Sequence, residues 1–381
     1  MTTPPPNPAA RTTPARSSVF SCLYRSEQAL TKQEIARETG LSLPTVYQTL
    51  ASLEELGILA SGGERQSTGG RRANTFSVDA GGVGALGISV TGSQIRVLGC
   101  DLRGKIVDGV GGEWPLEGPI SARELACALQ EAAEAGVSGM DAHGTRTVGV
   151  GVAVPSAIDP ATGRLLNTRV LKITDSSPVA ASLISEIPLP ADVFNDASCG
   201  GFSEVFPTHS GQNIAYLSLE RGVGGAIIIG SRPYEGEGGA SAEFGHICVE
   251  PGGKPCTCGR RGCLEAYCSS ACLSDELGCT LDEFFSRFDS GDPVAVGRFV
   301  DYAEHLVRGI QVIRTIFDCD VVLGGFMAPR LSFYFDFVVR RAGQLDFLRT
   351  DASFLRYARH PHHGVPLGAA QKMVQRYIER L

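Results

Sequence analysis

The chain has 381 residues, too many for one core, and calls for roughly two or three domains. Its 43% apolar and 20% charged content is that of a soluble globular protein, and no apolar run approaches the roughly 20 residues of a membrane span. The net charge of −7 is unevenly divided: residues 1–80 carry eight Lys/Arg and seven Asp/Glu, so the remainder carries −8. That excludes the body, though not the head, as an electrostatic platform for nucleic acid.

Residues 1–17 hold Pro4, Pro5, Pro6, Pro8 and Pro14, which predicts a disordered tail acting as a tether. A basic arm through Arg11 and Arg16 is the alternative. The opening lacks the hydrophobic stretch of an export signal, so a cytoplasmic protein with no membrane partner is expected.

Residues 18–80 read as a winged helix-turn-helix. A short helix carries Phe20, Leu23 and Tyr24. Thr31-Lys32-Gln33-Glu34 is a capping box opening a second helix that Gly40 closes. Ser42 caps a third, with Pro44 in its first turn and Val46, Leu50 and Leu53 as its apolar stripe. Thr45, Gln48 and Ser52 occupy the opposite arc, with Thr49 at its border, the arrangement of a recognition helix. Gln48 can bond adenine through two atoms, and Pro44, Thr45 or Thr49 can meet thymine methyls. A wing follows, from Ile58 through a glycine-bearing loop to Phe76 and Val78. At its base, Gly69-Gly70-Arg71-Arg72 suits phosphates or a narrow minor groove; a solvated surface hairpin is the alternative. No Lys or Arg lies between Arg37 and Arg65, so phosphate affinity falls to Arg25, Lys32, Arg37, Arg71 and Arg72.

From Gly84 strands and helices alternate. Strands are expected over Leu86–Val90, Gln94–Cys100, Lys105–Gly109 and Thr147–Val154, with a helix opened by the capping box Ser121-Ala122-Arg123-Glu124. This is an α/β lobe on a mixed sheet. A second lobe begins after Asn195-Asp196 and holds glycine-rich Arg221–Gly225, a long helix around Val296–Phe317 and the strand-turn Val321–Gly325.

Seven of twelve cysteines fall between Cys248 and Cys279. Within that stretch His246-x9-Cys256-x-Cys258-x4-Cys263 supplies three thiolates and an imidazole, a complete tetrahedral set for zinc with no open position for a catalytic water. Cys248 and Cys268 are alternates outside the tight spacing. Asn195, Asp196, Glu243, His246 and Glu265 form a second, polar constellation suited to a polyol, whose hydroxyls both donate and accept. The same residues also suit local caps and salt bridges, and residue types alone leave both readings open.

The chain resembles the ROK family of repressors, open reading frames and sugar kinases, and within it the winged-helix repressor branch. The resemblance runs from about Ser18 and is carried by Asn195-Asp196-Ala197 with Glu204, Glu243-Phe244-Gly245-His246, the run Cys256 to Glu265, Leu323-Gly324-Gly325 and Leu367-Gly368-Ala369-Ala370. It implies a two-lobed actin-like, hexokinase-like fold: a first lobe over 81–194 completed by the C-terminal helix 366–381, and a second lobe with the zinc loop over 195–365. It further implies sugar contacts from Asn195, Asp196, Glu243, His246 and Glu265, with His246 serving metal and sugar. Kinases of the family carry Asp-x-Gly-x-Thr where this chain has Ser89-Val90-Thr91-Gly92-Ser93. Ser89 offers no carboxylate for metal-bound phosphates, and Thr91 puts a branched side chain where backbone must approach phosphate. Arg221 replaces a small hydroxyl residue and Ser156 a glycine. The expectation is a non-enzymatic regulator that binds operator DNA and a small sugar effector as a homodimer or homotetramer, with Asp196 a vestigial base. The alternatives are a sugar kinase with an accessory DNA-binding domain, and a regulator answering to zinc or thiol state.

Overall fold

The computed structural model describes residues 14–65, 73–176, 178–207, 211–332, 334–346 and 351–381. In the head, α1 (Pro14–Arg25), β1 (Leu30–Thr31), α2 (Lys32–Thr39), α3 (Leu43–Glu55), β2 (Leu59–Arg65) and β3 (Ala73–Val78) follow in order, the strands forming an antiparallel sheet β1-β3-β2. Both expected caps form. Thr31 Oγ1 accepts from Glu34 N–H while Thr31 N–H donates to the Glu34 carboxylate, and Ser42 Oγ accepts from Thr45 N–H. Phe20, Leu23, Ile35, Val46, Leu50, Leu53 and Ile58 close the core. One expectation is corrected: Pro14–Ser17 belong to α1 rather than to a disordered tail. Pro14 is the first helical residue, where its missing N–H would be unpaired in any case. The rest of the expected tail lies outside the described residues.

Among the described residues the body holds two five-stranded sheets. The first has the order β6-β5-β4-β7-β8, from β4 (Val83–Val90), β5 (Gln94–Asp101), β6 (Ile106–Pro115), β7 (Arg146–Val154) and β8 (Ala191–Asn195). The second has the order β11-β10-β9-β12-β13, from β9 (Ile214–Leu219), β10 (Val223–Ile229), β11 (Arg232–Pro233), β12 (Asp320–Gly324) and β13 (Leu355–Tyr357). Each sheet pairs its first strand antiparallel to the next and parallel to a later one, which pairs parallel to a further strand. This repeated pattern makes the body two-lobed. The strand β6 runs past the expected Gly109 because Gly111–Pro115 continue pairing with β5 despite their glycines.

The helices are α4 (Ala122–Ala142), α5 (Ala180–Leu183), α6 (Asp196–Ser203), α7 (Glu265–Cys268), α8 (Ala271–Ser274), α9 (Leu281–Asp289), α10 (Pro293–Phe317), α11 (Ala328–Ser332), α12 (Phe335–Leu345) and α13 (Gly364–Glu379). The last returns to the first sheet. Gly87 and Gly151 lie so close to the Pro366 and Ala369 carbonyls that a Cβ on either would collide with α13. No described helix is long and apolar enough to cross a membrane.

Head and first sheet share one buried cluster that runs from Val19, Phe20 and Leu53 through Ala85, Leu98, Cys100 and Leu102 to Leu367 and Val374. Polar contacts reinforce the junction. Tyr24 Oη donates to the Leu102 carbonyl at 3.1 Å, Arg103 Nη1 donates to the Tyr24 carbonyl at 3.2 Å, and Arg146 Nη2 donates to the Leu56 carbonyl at 2.9 Å. The head is therefore mounted on the first sheet rather than tethered to it.

Candidate functional site

The polar constellation forms where β8 runs into α6. Asn195 caps the helix, its Oδ1 accepting from Ser198 N–H at 2.9 Å and its Nδ2 donating to the Ser156 carbonyl at 3.3 Å. Asp196 accepts from Ala197 N–H through Oδ1. Burial, with the nearby charge of Glu243, pushes Asp196 up to about 6. Glu243 precedes the 3-10 turn Phe244–His246; burial raises it, His246 opposes the shift and Glu265 adds to it. Glu265, opening α7, accepts from Val223 N–H through Oε2 and from Thr257 Oγ1 through Oε1, tying the cysteine loop to β10. Glu243 thus lies within electrostatic reach of Asp196, His246 and Glu265.

The donor atoms of His246, Cys256, Cys258 and Cys263 all lie within 4.8 Å of one another. Cys256 Sγ is 3.7 Å from His246 Nδ1, and the sulfurs of Cys258 and Cys263 are 3.7 Å apart. Zinc bonded to sulfur at roughly 2.3 Å in a tetrahedron separates its ligands by about 3.7 Å, so the set fits that ion. The loop folds back because Gly259 and Gly262 adopt positive φ and because Cys256 N–H and Gly262 N–H donate to the Arg260 and Lys254 carbonyls. Arg260 holds the exposed Cys258 thiol down to about 6, favouring the ligating thiolate. The two alternates stand apart: Cys248 lies outside the four-donor group, and buried Cys268 donates to the Tyr302 carbonyl.

The turn over Ser89–Ser93 is closed on itself. Thr91 Oγ1 bonds both the N–H and carbonyl of Gln94, Ser89 is buried, and Gly92 is pressed against the Val170 carbonyl. Ser156 is also buried, donating to the Ala157 carbonyl and accepting from Asn167 N–H. Arg221 points outward and pairs with Asp275.

Its neighbour Glu220 escaped the sequence reading. It follows β9, accepts from Phe326 N–H at 3.2 Å, and is pushed up to about 8 by burial and by the charge of Asp196. The only sequence signal was a carboxylate between an apolar strand and a glycine-rich turn. From its ordinary 4.5 to about 8, the folded chain keeps a proton that the unfolded chain releases. The stability linked to this proton is full below about 4.5 and lost as pH rises through about 8. Glu220→Gln, which cannot ionise, is expected to gain on wild type in thermal midpoint across that rise. Parallel midpoint-versus-pH curves for the two proteins would contradict the assignment.

On the head, Pro44 and Gln48 are exposed and Thr45 is half-buried, sharing a hydrogen bond with Ser42. Thr49 is a correction. It is buried, its hydroxyl donating back to the Thr45 carbonyl at 2.8 Å, because the helical arc facing the core is wider than the Val46, Leu50 and Leu53 stripe. Arg71 and Arg72 lie outside the described residues. Tyr47, absent from the sequence reading, is among the most exposed large apolar side chains, at 55%.

The fold and site together define a two-lobed α/β body with a cysteine-rich loop beside a group of carboxylates and a helix-turn-helix head built onto one lobe. The family model described as "ROK family" matches residues 85–372, and that of the IclR helix-turn-helix domain matches residues 17–62. The chain belongs to the ROK family. It is 26% identical over 254 residues to the xylose repressor of Bacillus subtilis, a match covering 65% of this chain and 64% of that protein, less than two thirds of its length. It is 32% identical over 215 residues to an N-acetylmannosamine kinase of Escherichia coli, covering 54% of this chain and 72% of that one. The crystal structure of a ROK family transcriptional regulator, a homologue of the E. coli MLC protein, superposes with a TM-score of 0.75 over 96% of both chains at 17% identity, and so shares the fold.

Proposed function

We propose that the chain is a sequence-specific DNA-binding transcriptional regulator, a repressor, whose body binds a sugar or sugar derivative as effector and holds one structural zinc ion. The observation that carries this reading is the shared core joining a helix-turn-helix head to a ROK body. The head through residue 80 binds operator DNA, with Pro44, Thr45 and Gln48 toward bases and Arg71 and Arg72 toward phosphates. Residues 81–194 with 366–381 form one lobe and 195–365 the other. Asn195, Asp196, Glu243, His246 and Glu265 bind the sugar between them. His246 turns Nδ1 toward Cys256, so zinc held there leaves Nε2 for a sugar hydroxyl. Four protein donors close the ion's shell, so its contribution is to order the loop. The repressor acts in the cytoplasm as a homodimer or homotetramer on a symmetric operator.

A kinase is the second reading, favoured by Asp196, whose value of about 6 suits a general base toward a sugar hydroxyl. Against it stand Ser89, the closed Thr91–Gln94 turn and Glu220, whose carboxylate takes the Phe326 N–H. Incubation with ATP and a panel of sugars is therefore expected to yield no phosphorylated product. Turnover on the order of 1 per second would promote the kinase reading.

A further inference from the structure

We infer that the recognition helix reads thymine through apolar contact, with Leu43 and Tyr47 against thymine methyls and Lys32 held by Tyr47 as a phosphate clamp. The inference rests on the DNA-binding reading and assigns residues that reading does not name. Along α3, Leu43 is 41% and Tyr47 55% exposed, and they share the exposed surface with Pro44 and Gln48. The helix holds no Lys or Arg, and its only acids, Glu54 and Glu55, lie at the far end. Positive charge instead arrives from α2. Lys32 Nζ sits 3.6 Å from the centroid of the Tyr47 ring and 5.2 Å from that of Phe76 on β3. One ammonium thus bridges α2, the recognition helix and the wing, and fixes the rotamer of an otherwise exposed tyrosine.

Apolar side chains on the N-terminal half of such a helix have one apolar counterpart in the major groove, the C5-methyl of thymine. Lys32, on the neighbouring α2, brings to this face the charge that a phosphate backbone complements. A tyrosine pinned under an ammonium is ordered before binding, so its burial costs little further side-chain entropy.

The test uses the full chain and a duplex that it selects from a random library. That duplex is compared with a copy in which deoxyuridine replaces thymine in each half-site, removing only the methyls. Wild type is expected to lose roughly fourfold in affinity for each contacted methyl. Tyr47→Ala and Leu43→Ala should bind the thymine duplex more weakly and lose less than wild type on the exchange, while Tyr47→Phe keeps the full methyl dependence. Both residues are exposed, so an unchanged thermal midpoint separates these effects from misfolding. Lys32→Ala should weaken binding to both duplexes and lower the salt-dependence slope by about 1. Indifference of wild type to the exchange would overturn the inference, as would an equal methyl penalty in Tyr47→Ala or a loss of it in Tyr47→Phe. Selection of no duplex at all would instead remove the DNA-binding reading on which it stands.

Discussion

Purified protein is expected to carry one zinc ion per chain, and Cys258→Ser is expected to lose it along with much of the loop's stability. Cys258 is the informative ligand because it is exposed, whereas Cys256 and Cys263 are buried. Replacing a surface sulfur with oxygen leaves no cavity, so a fall in stability reports the metal rather than packing. In small zinc domains the bound ion contributes roughly 10 kcal/mol or more to folding. Here the backbone bonds of the loop and the Glu265 contacts to Val223 and Thr257 already supply part of the order, so the share at risk is smaller. A loss of about 3–4 kcal/mol would lower the thermal midpoint by roughly 10 °C, taking about 2–4 °C per kcal/mol for domains of this size. Elemental analysis and thermal unfolding, with and without chelator, provide the check. Zinc-free wild type, or a Cys258→Ser protein that keeps both its zinc and its midpoint, would contradict the assignment.

What was legible in the sequence was local. The pairs Thr31/Glu34 and Ser121/Glu124 form reciprocal caps because every partner lies within one turn, and Thr280/Glu283 closes a third by the same rule. The clustering of His246, Cys256, Cys258 and Cys263 was legible for a similar reason, with three of the four within eight residues and glycines spaced to fold the loop. Distant pairings were not. Tyr24 and Leu102 meet across 78 positions, and Arg146 and Leu56 across 90, so nothing in either segment announces that head and first sheet share a core. Glu220 acquires its raised pKa from burial and from the charge of Asp196, with the Phe326 N–H bond opposing the shift, and neither partner is adjacent in sequence. Thr49 fell on the border of a helical wheel, where packing rather than periodicity decides which way a side chain faces.

Sugar in the cleft is expected to weaken operator binding roughly 5- to 150-fold, the range of a coupling of about 1–3 kcal/mol. The shared core supplies a physical route. At its N-terminal end β7 carries Arg146, whose guanidinium holds the Leu56 carbonyl just beyond the last turn of α3. Two residues past its C-terminal end lies Ser156, whose carbonyl accepts from Asn195 beside Asp196. A single strand thus joins the proposed sugar contacts to the end of the proposed DNA-reading helix α3. If sugar favours one arrangement of the lobes, the head moves with the first sheet and the spacing of paired heads changes relative to successive major grooves. Asp196→Ala and Glu243→Ala should lose sugar affinity while keeping operator affinity. Arg146→Ala should keep sugar affinity but show a reduced response, because the helix end is no longer tied to the strand. Linkage adds a stringent condition: operator DNA must weaken sugar binding by the same factor by which sugar weakens operator binding. Titrating each ligand in the presence and absence of the other, in wild type and the three variants, measures both factors. A sugar that binds tightly through Asp196 yet leaves operator affinity unchanged would uncouple cleft from head and remove the basis for calling it the effector.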